Sequence, residues 1–234
     1  MEFEKSGIPG LDEILKGGFR KNSSFLIKGA SGTGKTILAL QFILEGAKKG
    51  HPGVFITAEE ELEDLRNYAK SLKMDLEGYE KKKLIYLIKQ PVTLKKLISI
   101  AAPLELISKG KVKRAVLDSL TLFKYCTENK IAYRKEVLDL ISNMKNVLFL
   151  ATSEEKREGK IDNFESNAED YLFDGVIRMI KIRKGNNFER CLFISKIRGQ
   201  NHSLDIYPFT ITEKGIIVHS NEIPFTLLES SDKK

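Results

Sequence analysis

The segment that most constrains this chain is Gly29-Ala30-Ser31-Gly32-Thr33-Gly34-Lys35-Thr36. The apolar run Phe25-Leu26-Ile27-Lys28 precedes it and predicts a strand, and Ile37 to Leu44 follows with the character of a helix. A strand, a GxxxxGK[ST] loop and a helix in that order form the context of a phosphate-binding loop. The glycines let the backbone turn its N–H groups toward an anion, and the helix N-terminus adds partial positive charge at the same place. Lys35 is placed to reach β- and γ-phosphates, and the Thr36 hydroxyl is suited to ligating Mg²⁺. The pattern implies a nucleoside-triphosphate site that also takes Mg²⁺.

Before the loop, Pro9-Gly10 marks a turn, and Leu11, Ile14 and Leu15 predict a short helix stopped by Gly17-Gly18. Beyond it, a helix runs toward Gly50, and Val54 to Ala58 predicts a buried strand that ends in Glu59-Glu60-Glu61. Two readings of those acids stand side by side. They are first-turn residues of the next helix, or they lie beside the triphosphate, because ligands collect at the carboxyl ends of parallel strands. Leu84 to Ile88 predicts another strand, followed by a helical stretch from Thr93 to about Ser108 that Pro103 kinks or divides. Arg114-Ala115-Val116-Leu117-Asp118 is an apolar strand ending in an acid, the form expected of a residue on the Mg²⁺ side of the site.

Residues 129–144 predict a helix and 146–152 a strand, and the polar segment 153–170 reads as a long surface loop. From there the pattern changes. Residues 176–183 and 188–195 alternate around Lys184-Gly185-Asn186-Asn187, a hairpin signal, and short strands follow near 206–212 and 216–219. The expected fold is α/β: a twisted, mostly parallel sheet flanked by helices, with C-terminal antiparallel strands. We expect one domain over 1–220 and a short tail over 221–234.

With 41% apolar residues the chain has material for a core, and no run approaches the roughly 18 apolar residues of a membrane span. Charges and glycines interrupt every apolar run in the first 30 residues, so nothing there reads as a signal peptide. Cys126 and Cys191 have no metal-type spacing and read as buried thiols, so the expected location is cytoplasmic. The net charge of +7 is spread over scattered lysines, a weak signal for nucleic acid.

These residues together give a chain that resembles the KaiC-like branch, common in archaea, of the RecA/RadA superfamily of ATPases. The resemblance rests on Gly7-Ile8-Pro9-Gly10-Leu11-Asp12 with Gly17-Gly18-Phe19, the phosphate loop, and Thr57-Ala58-Glu59-Glu60. It continues through Leu117-Asp118-Ser119, Asp174-Gly175-Val176-Ile177, Lys196-Ile197-Arg198-Gly199, and Tyr207 to Thr212 with Gly215. It implies a RecA-like P-loop fold in which Glu59 and Glu60 position or deprotonate the attacking water. Lys35 and Thr36 keep their roles, and Asp118 is the Mg²⁺-side acid. It implies that Lys196 and Arg198, which from the residues alone are exposed strand charges, reach a neighbour's γ-phosphate. A homo-oligomer, a hexameric ring or a filament, is then expected. The clock protein that names the family carries two tandem copies, whereas this sequence carries one.

Three functions follow from this reading. The first is an oligomeric ATPase that drives or times assembly with a protein partner the sequence does not identify. The second is a recombinase-type role on single-stranded DNA, through the loops after the Asp118 and Thr152 strands. Residues 153–170 hold seven acids against three bases, which disfavours a phosphate-tracking surface, while Lys124, Lys130, Arg134 and Lys135 favour one. The third is a FlaH-like nucleotide-dependent scaffold with little hydrolysis.

Overall fold

The computed structural model describes residues 2–90, 92–93, 96–97, 101–109, 111–155, 167–184 and 186–225. Its centre is a nine-stranded sheet. In chain order the strands are β1 (Ser24–Gly29), β2 (Gly53–Thr57), β3 (Ile85–Lys89), β4 (Arg114–Asp118), β5 (Leu148–Glu154), β6 (Gly175–Lys184), β7 (Asn187–Ile197), β8 (Tyr207–Thr212) and β9 (Gly215–Val218). The spatial order is β9-β8-β7-β6-β1-β5-β4-β2-β3. Neighbours from β6 through β3 are parallel, and β6 to β9 are joined antiparallel. This is the expected mostly parallel sheet with an antiparallel C-terminal extension.

The inner strands β1, β2 and β4 are buried along their whole length, as strands covered on both faces must be. Helix α1 (Leu11–Ile14) precedes β1, and α2 (Lys35–Lys48) lies against one face. Helices α3 (Leu62–Ser71) and α4 (Leu76–Lys81) complete that layer. The other face is covered by α5 (Ala101–Ser108), α6 (Thr121–Cys126) and α7 (Lys130–Asn143).

Several motif residues turn out to be structural. The Asp174 carboxylate accepts from the Ser24 N–H (2.9 Å) and hydroxyl (3.0 Å), joining β6 to the start of β1. Gly10 packs against β9 so closely that a Cβ would lie 2.0 Å from the Val218 carbonyl oxygen. The Val218 N–H donates to the Pro9 carbonyl at 2.9 Å, so the N-terminal turn and the last strand are built on each other. Gln41 of α2 exchanges two bonds with the Ile216 backbone (3.1 and 2.7 Å), fixing the C-terminal hairpin to the same helix.

The structure departs from the sequence reading in three places. The helix expected from Thr93 begins at Ala101; residues 92–93 pair antiparallel with 96–97 instead. Pro103 therefore falls in the first turn, where its missing N–H breaks no helical bond, and it neither kinks nor divides α5. Helix α6 has too short an apolar pattern to be recognised in the sequence. Residues 156–166 of the polar segment lie outside the described residues, as do residues 226–234 of the expected tail, but Glu169 and Asp170 are no surface acids.

Glu169 and Asp170 sit in a 3₁₀ turn over Ala168–Tyr171 and are both buried. Lys28, wholly buried in β1, pairs with Asp170 (2.8 Å), Glu155 (3.3 Å) and Glu169 (3.4 Å). Arg178 of β6 pairs with Asp170 at 2.6 Å, and Lys124 of α6 with Glu169 at 3.2 Å. Three of the seven acids counted against DNA (Glu155, Glu169 and Asp170) and one of the four bases counted for it (Lys124) are thus paired in this network. The acidic count therefore does not describe a surface, whereas all four bases are exposed.

Candidate active site

Strand β1 ends at Gly29, and the chain turns over its end before α2 begins at Lys35. Gly34 is the N-cap residue of α2 at φ 106°, a left-handed conformation that residues with side chains rarely adopt. The turn therefore aims the N-terminus of a 14-residue helix, with its unpaired N–H groups, at the loop. The Thr33 hydroxyl donates to the Ala30 carbonyl at 2.9 Å and closes the loop on itself. Lys35 is buried and donates to the carbonyls of Gly29 (2.9 Å) and Ala30 (3.1 Å). Burial pushes its ammonium below the ordinary lysine range, partly offset by the carboxylates of Glu154, Asp118 and Glu59.

Parallel pairing brings the ends of β2, β4 and β5 to the same edge. Thr36 Oγ1 donates to Asp118 Oδ2 at 2.7 Å, and the Thr152 hydroxyl donates to Oδ1 of the same carboxylate. Burial raises the Asp118 pKa although both hydrogen bonds oppose it. The Asp118–Ser119 peptide is cis, and the Ser119 hydroxyl donates to the Glu59 carboxylate.

The start of α3 divides the acids after β2. Its first-turn acids are Glu63 and Asp64, and Glu61 is its N-cap residue, so Glu59 and Glu60 precede the helix. Thr57 holds their turn: its hydroxyl accepts from the Glu60 N–H (3.0 Å) and donates to the Glu60 carbonyl (3.1 Å). Lys89 of β3 donates to the carbonyls of Glu59 (3.1 Å) and Glu60 (3.0 Å) and to the Glu61 carboxylate (2.8 Å). The Glu59 side chain turns toward Ser119 and Asp118, whereas that of Glu60 accepts from Tyr68 of α3 at 3.4 Å.

A cleft of about 460 Å³ opens between the loop residues Ser31, Gly32, Gly34, Lys35 and Thr36 and the acids Glu59, Glu60 and Asp118. Ile37, Tyr68, Ser71, Leu72, Ser119, Glu154, Arg190 and Ile211 complete its walls. Glu154 sits at the carboxyl end of β5, where the strand-end rule applied to Glu59 would have found it. Arg190 gives no such signal, because only the pairing of the β6–β7 hairpin brings it here. Thr36 and Asp118 offer hard oxygen donors that fit Mg²⁺. Among the described residues no group of three or more His, Cys, Asp or Glu could hold a metal, so such an ion would also need phosphate oxygens and water.

Lys196 and Arg198 lie elsewhere. Lys196 pairs with Val176, which is level with Leu26 near the start of β1, and so sits toward the edge of the parallel strands opposite the loop. The Arg198 guanidinium donates to the Tyr171 carbonyl. Burial and the adjacent Arg198 charge push the Lys196 ammonium below its ordinary range. Neither residue lines the cleft of its own chain. Neither cysteine forms a disulfide; Cys191 is buried and Cys126 half-buried. Among the described residues no helix is long and apolar enough to cross a membrane.

Comparison with known proteins agrees with this architecture. The family described as "ATPase: KaiC" matches residues 4–223. A UPF0273 protein of Pyrococcus horikoshii is 29% identical over 94% of this chain and 94% of its own length, and one of Aeropyrum pernix is 30% identical over the same shares. The circadian clock oscillator protein KaiC of a Picosynechococcus species is 33% identical over 89% of this chain, which spans 43% of that protein. The crystal structure of a KaiC-like protein from Pyrococcus horikoshii superimposes with a TM-score of 0.79 at 33% identity, covering 93% of this chain and 99% of the other. The phosphate loop, the acids gathered at one sheet edge and a match along nearly the whole chain lead to one conclusion: the chain belongs to the KaiC family of RecA-like P-loop ATPases.

Proposed function

We propose that this protein is an Mg²⁺-dependent ATPase whose sites are completed between subunits of a ring or filament, and that hydrolysis to ADP and phosphate drives or times a protein assembly. The observation that carries the reading is the convergence of Lys35, Thr36, Asp118 and Glu59 on one cleft. When bound, Mg²⁺ neutralises charge on the β- and γ-phosphates. The loop N–H groups and Lys35 hold the phosphates, and Thr36 with Asp118 holds the metal side. Glu59, oriented by Ser119, accepts a proton from the attacking water, and Glu60 supports the same wall.

Negative charge accumulating on the transferred phosphoryl oxygens calls for a further cation. Lys196 and Arg198 lie away from their own cleft, which suits them to a head-to-tail neighbour's cleft. The lowered pKa of Lys196 is compatible with a site that desolvates a cation before an anion compensates it.

The test is steady-state ATP hydrolysis against protein concentration, for the wild type and for Lys196→Ala. Specific activity should rise with concentration and collapse in the variant. Activity independent of concentration and unchanged by the substitution would reject the shared site. Tight ATP binding without turnover would favour the nucleotide-dependent scaffold.

A further inference from the structure

The turn that carries Glu59 is held from both sides by strand ends. Thr57, the last residue of β2, lies level with Asp118 of β4 on one side and with Lys89 of β3 on the other. On the β4 side the Ala58 N–H donates to the Asp118 carbonyl at 2.8 Å, and the Ser119 hydroxyl donates to the Glu59 carboxylate. On the β3 side the Lys89 ammonium donates to the Glu59 carbonyl (3.1 Å), the Glu60 carbonyl (3.0 Å) and the Glu61 carboxylate (2.8 Å). A lysine ammonium has three donors, so all of them are spent on this turn. Bonds from a charged donor are stronger than neutral ones. Because a peptide unit is planar, holding the Glu59 carbonyl orients the whole unit that follows its Cα and limits where its side chain can point. Lys89 does not line the nucleotide cleft, so whatever it contributes to the chemistry passes through the turn.

We propose that Lys89 is a positioning residue for hydrolysis: by holding the backbone of the turn, it keeps the Glu59 carboxylate where it can take a proton from the attacking water. This rests on the role proposed above for Glu59 and goes beyond it by naming what fixes the chain beneath that side chain. Ser119 holds the carboxylate end of Glu59, and Lys89 holds the backbone end. Both supports are needed because a reacting group misplaced by about 1 Å can lose on the order of 10²-fold in rate. The Glu61 carboxylate, 72% exposed, completes the ammonium's set of acceptors and steadies Lys89 in turn. The edge strand β3 thus takes part in the chemistry without reaching the nucleotide.

The test is ATP hydrolysis by the full chain, with binding of the non-hydrolysable β,γ-imido analogue of ATP measured beside it. The variants are Lys89→Met, Lys89→Arg, Glu59→Gln, and Glu59→Gln combined with Lys89→Met. Lys89→Met keeps the aliphatic stem and should lower kcat about 10- to 100-fold, with KM and analogue binding within about twofold of wild type. Retained binding also shows that the variant is folded. Lys89→Arg, which keeps a charged donor, should recover part of the lost kcat. In the Glu59→Gln background, Lys89→Met should cost no further rate in single turnover, because residues that act as a unit are not additive. Unchanged kcat in Lys89→Met, a loss of binding as large as the loss of rate, or full additivity with Glu59→Gln would overturn the assignment. Normal turnover in Glu59→Gln, or none in the wild type, would instead overturn the function proposed above, and this assignment with it.

Discussion

Glu59 and Glu60 are adjacent in sequence and equivalent by composition, yet their surroundings separate them. The Ser119 hydroxyl fixes the Glu59 carboxylate on the Asp118 side of the cleft, while Glu60 leans toward Tyr68. A general base must reach the water whose proton it takes, and losing it costs roughly 10²–10⁴ in rate. Glu59→Gln should therefore lower kcat by about that range, Glu60→Gln should lower it less, and the double substitution should abolish turnover. All three should bind ATP as the wild type does. Steady-state hydrolysis beside direct nucleotide binding checks the ranking, and normal turnover in the double variant would remove both residues from the mechanism. Ser119 becomes a positioning residue on this view, a role its place in the Leu117-Asp118-Ser119 motif hints at but does not define.

At the scale of elements, the site depends on how β1, β5 and β6 are held behind the loop. The buried network around Lys28 does this. It joins β1 to Glu155, just past the end of β5, to the 3₁₀ turn at 168–171, and to Arg178 on β6. Burial by itself would raise the Asp170 pKa, but the hydrogen bonds and charges of Lys28 and Arg178 outweigh it and hold the carboxyl below the usual range. A folded-state pKa depressed in this way contributes stability above the unfolded value, and that contribution is lost as pH falls through the folded one. Asp170→Asn should cost about 3–5 kcal/mol at neutral pH, because it breaks the shortest ion pair of each of two buried cations, Lys28 and Arg178. Its deficit relative to wild type should shrink below about pH 4. Denaturant unfolding of both proteins across pH measures this, and a deficit that does not change with pH would contradict the ion-pair account.

At the scale of the whole molecule, the chain has two unlike ends. The carboxyl edge of the parallel strands carries the cleft with Glu59, Glu60, Glu154 and Asp118, and Lys196 and Arg198 lie toward the opposite edge. If these two surfaces engage each other between copies of the chain, the contact is head-to-tail and either closes as a ring or continues as a filament. If the sites are shared, Lys35→Ala and Lys196→Ala should each be inactive alone and partly active when mixed. Some interfaces in the mixture then combine an intact loop with an intact finger. Hydrolysis measured across mixing ratios should peak at an intermediate ratio, and a flat line at zero would reject complementation.

What the sequence by itself determined was local in origin. The loop at 29–36 is legible because its glycines, Lys35 and Thr36 act within one turn, and β1, β2 and β4 are legible because strands covered on both faces must be continuously apolar. The hairpin β6–β7 and the small α1 follow from near-neighbour patterns in the same way. Tertiary structure decided whatever depends on register or on distant partners. It separated Glu59 and Glu60 from the helix after them, and it buried Glu169 and Asp170 against Lys28 and Arg178 although their segment is polar. It also brought Arg190 to the wall of a cleft formed with a loop more than 150 residues upstream. A charged side chain looks the same in sequence whether water or another charge compensates it. Only the fold, by setting which strands lie side by side, decides between the two.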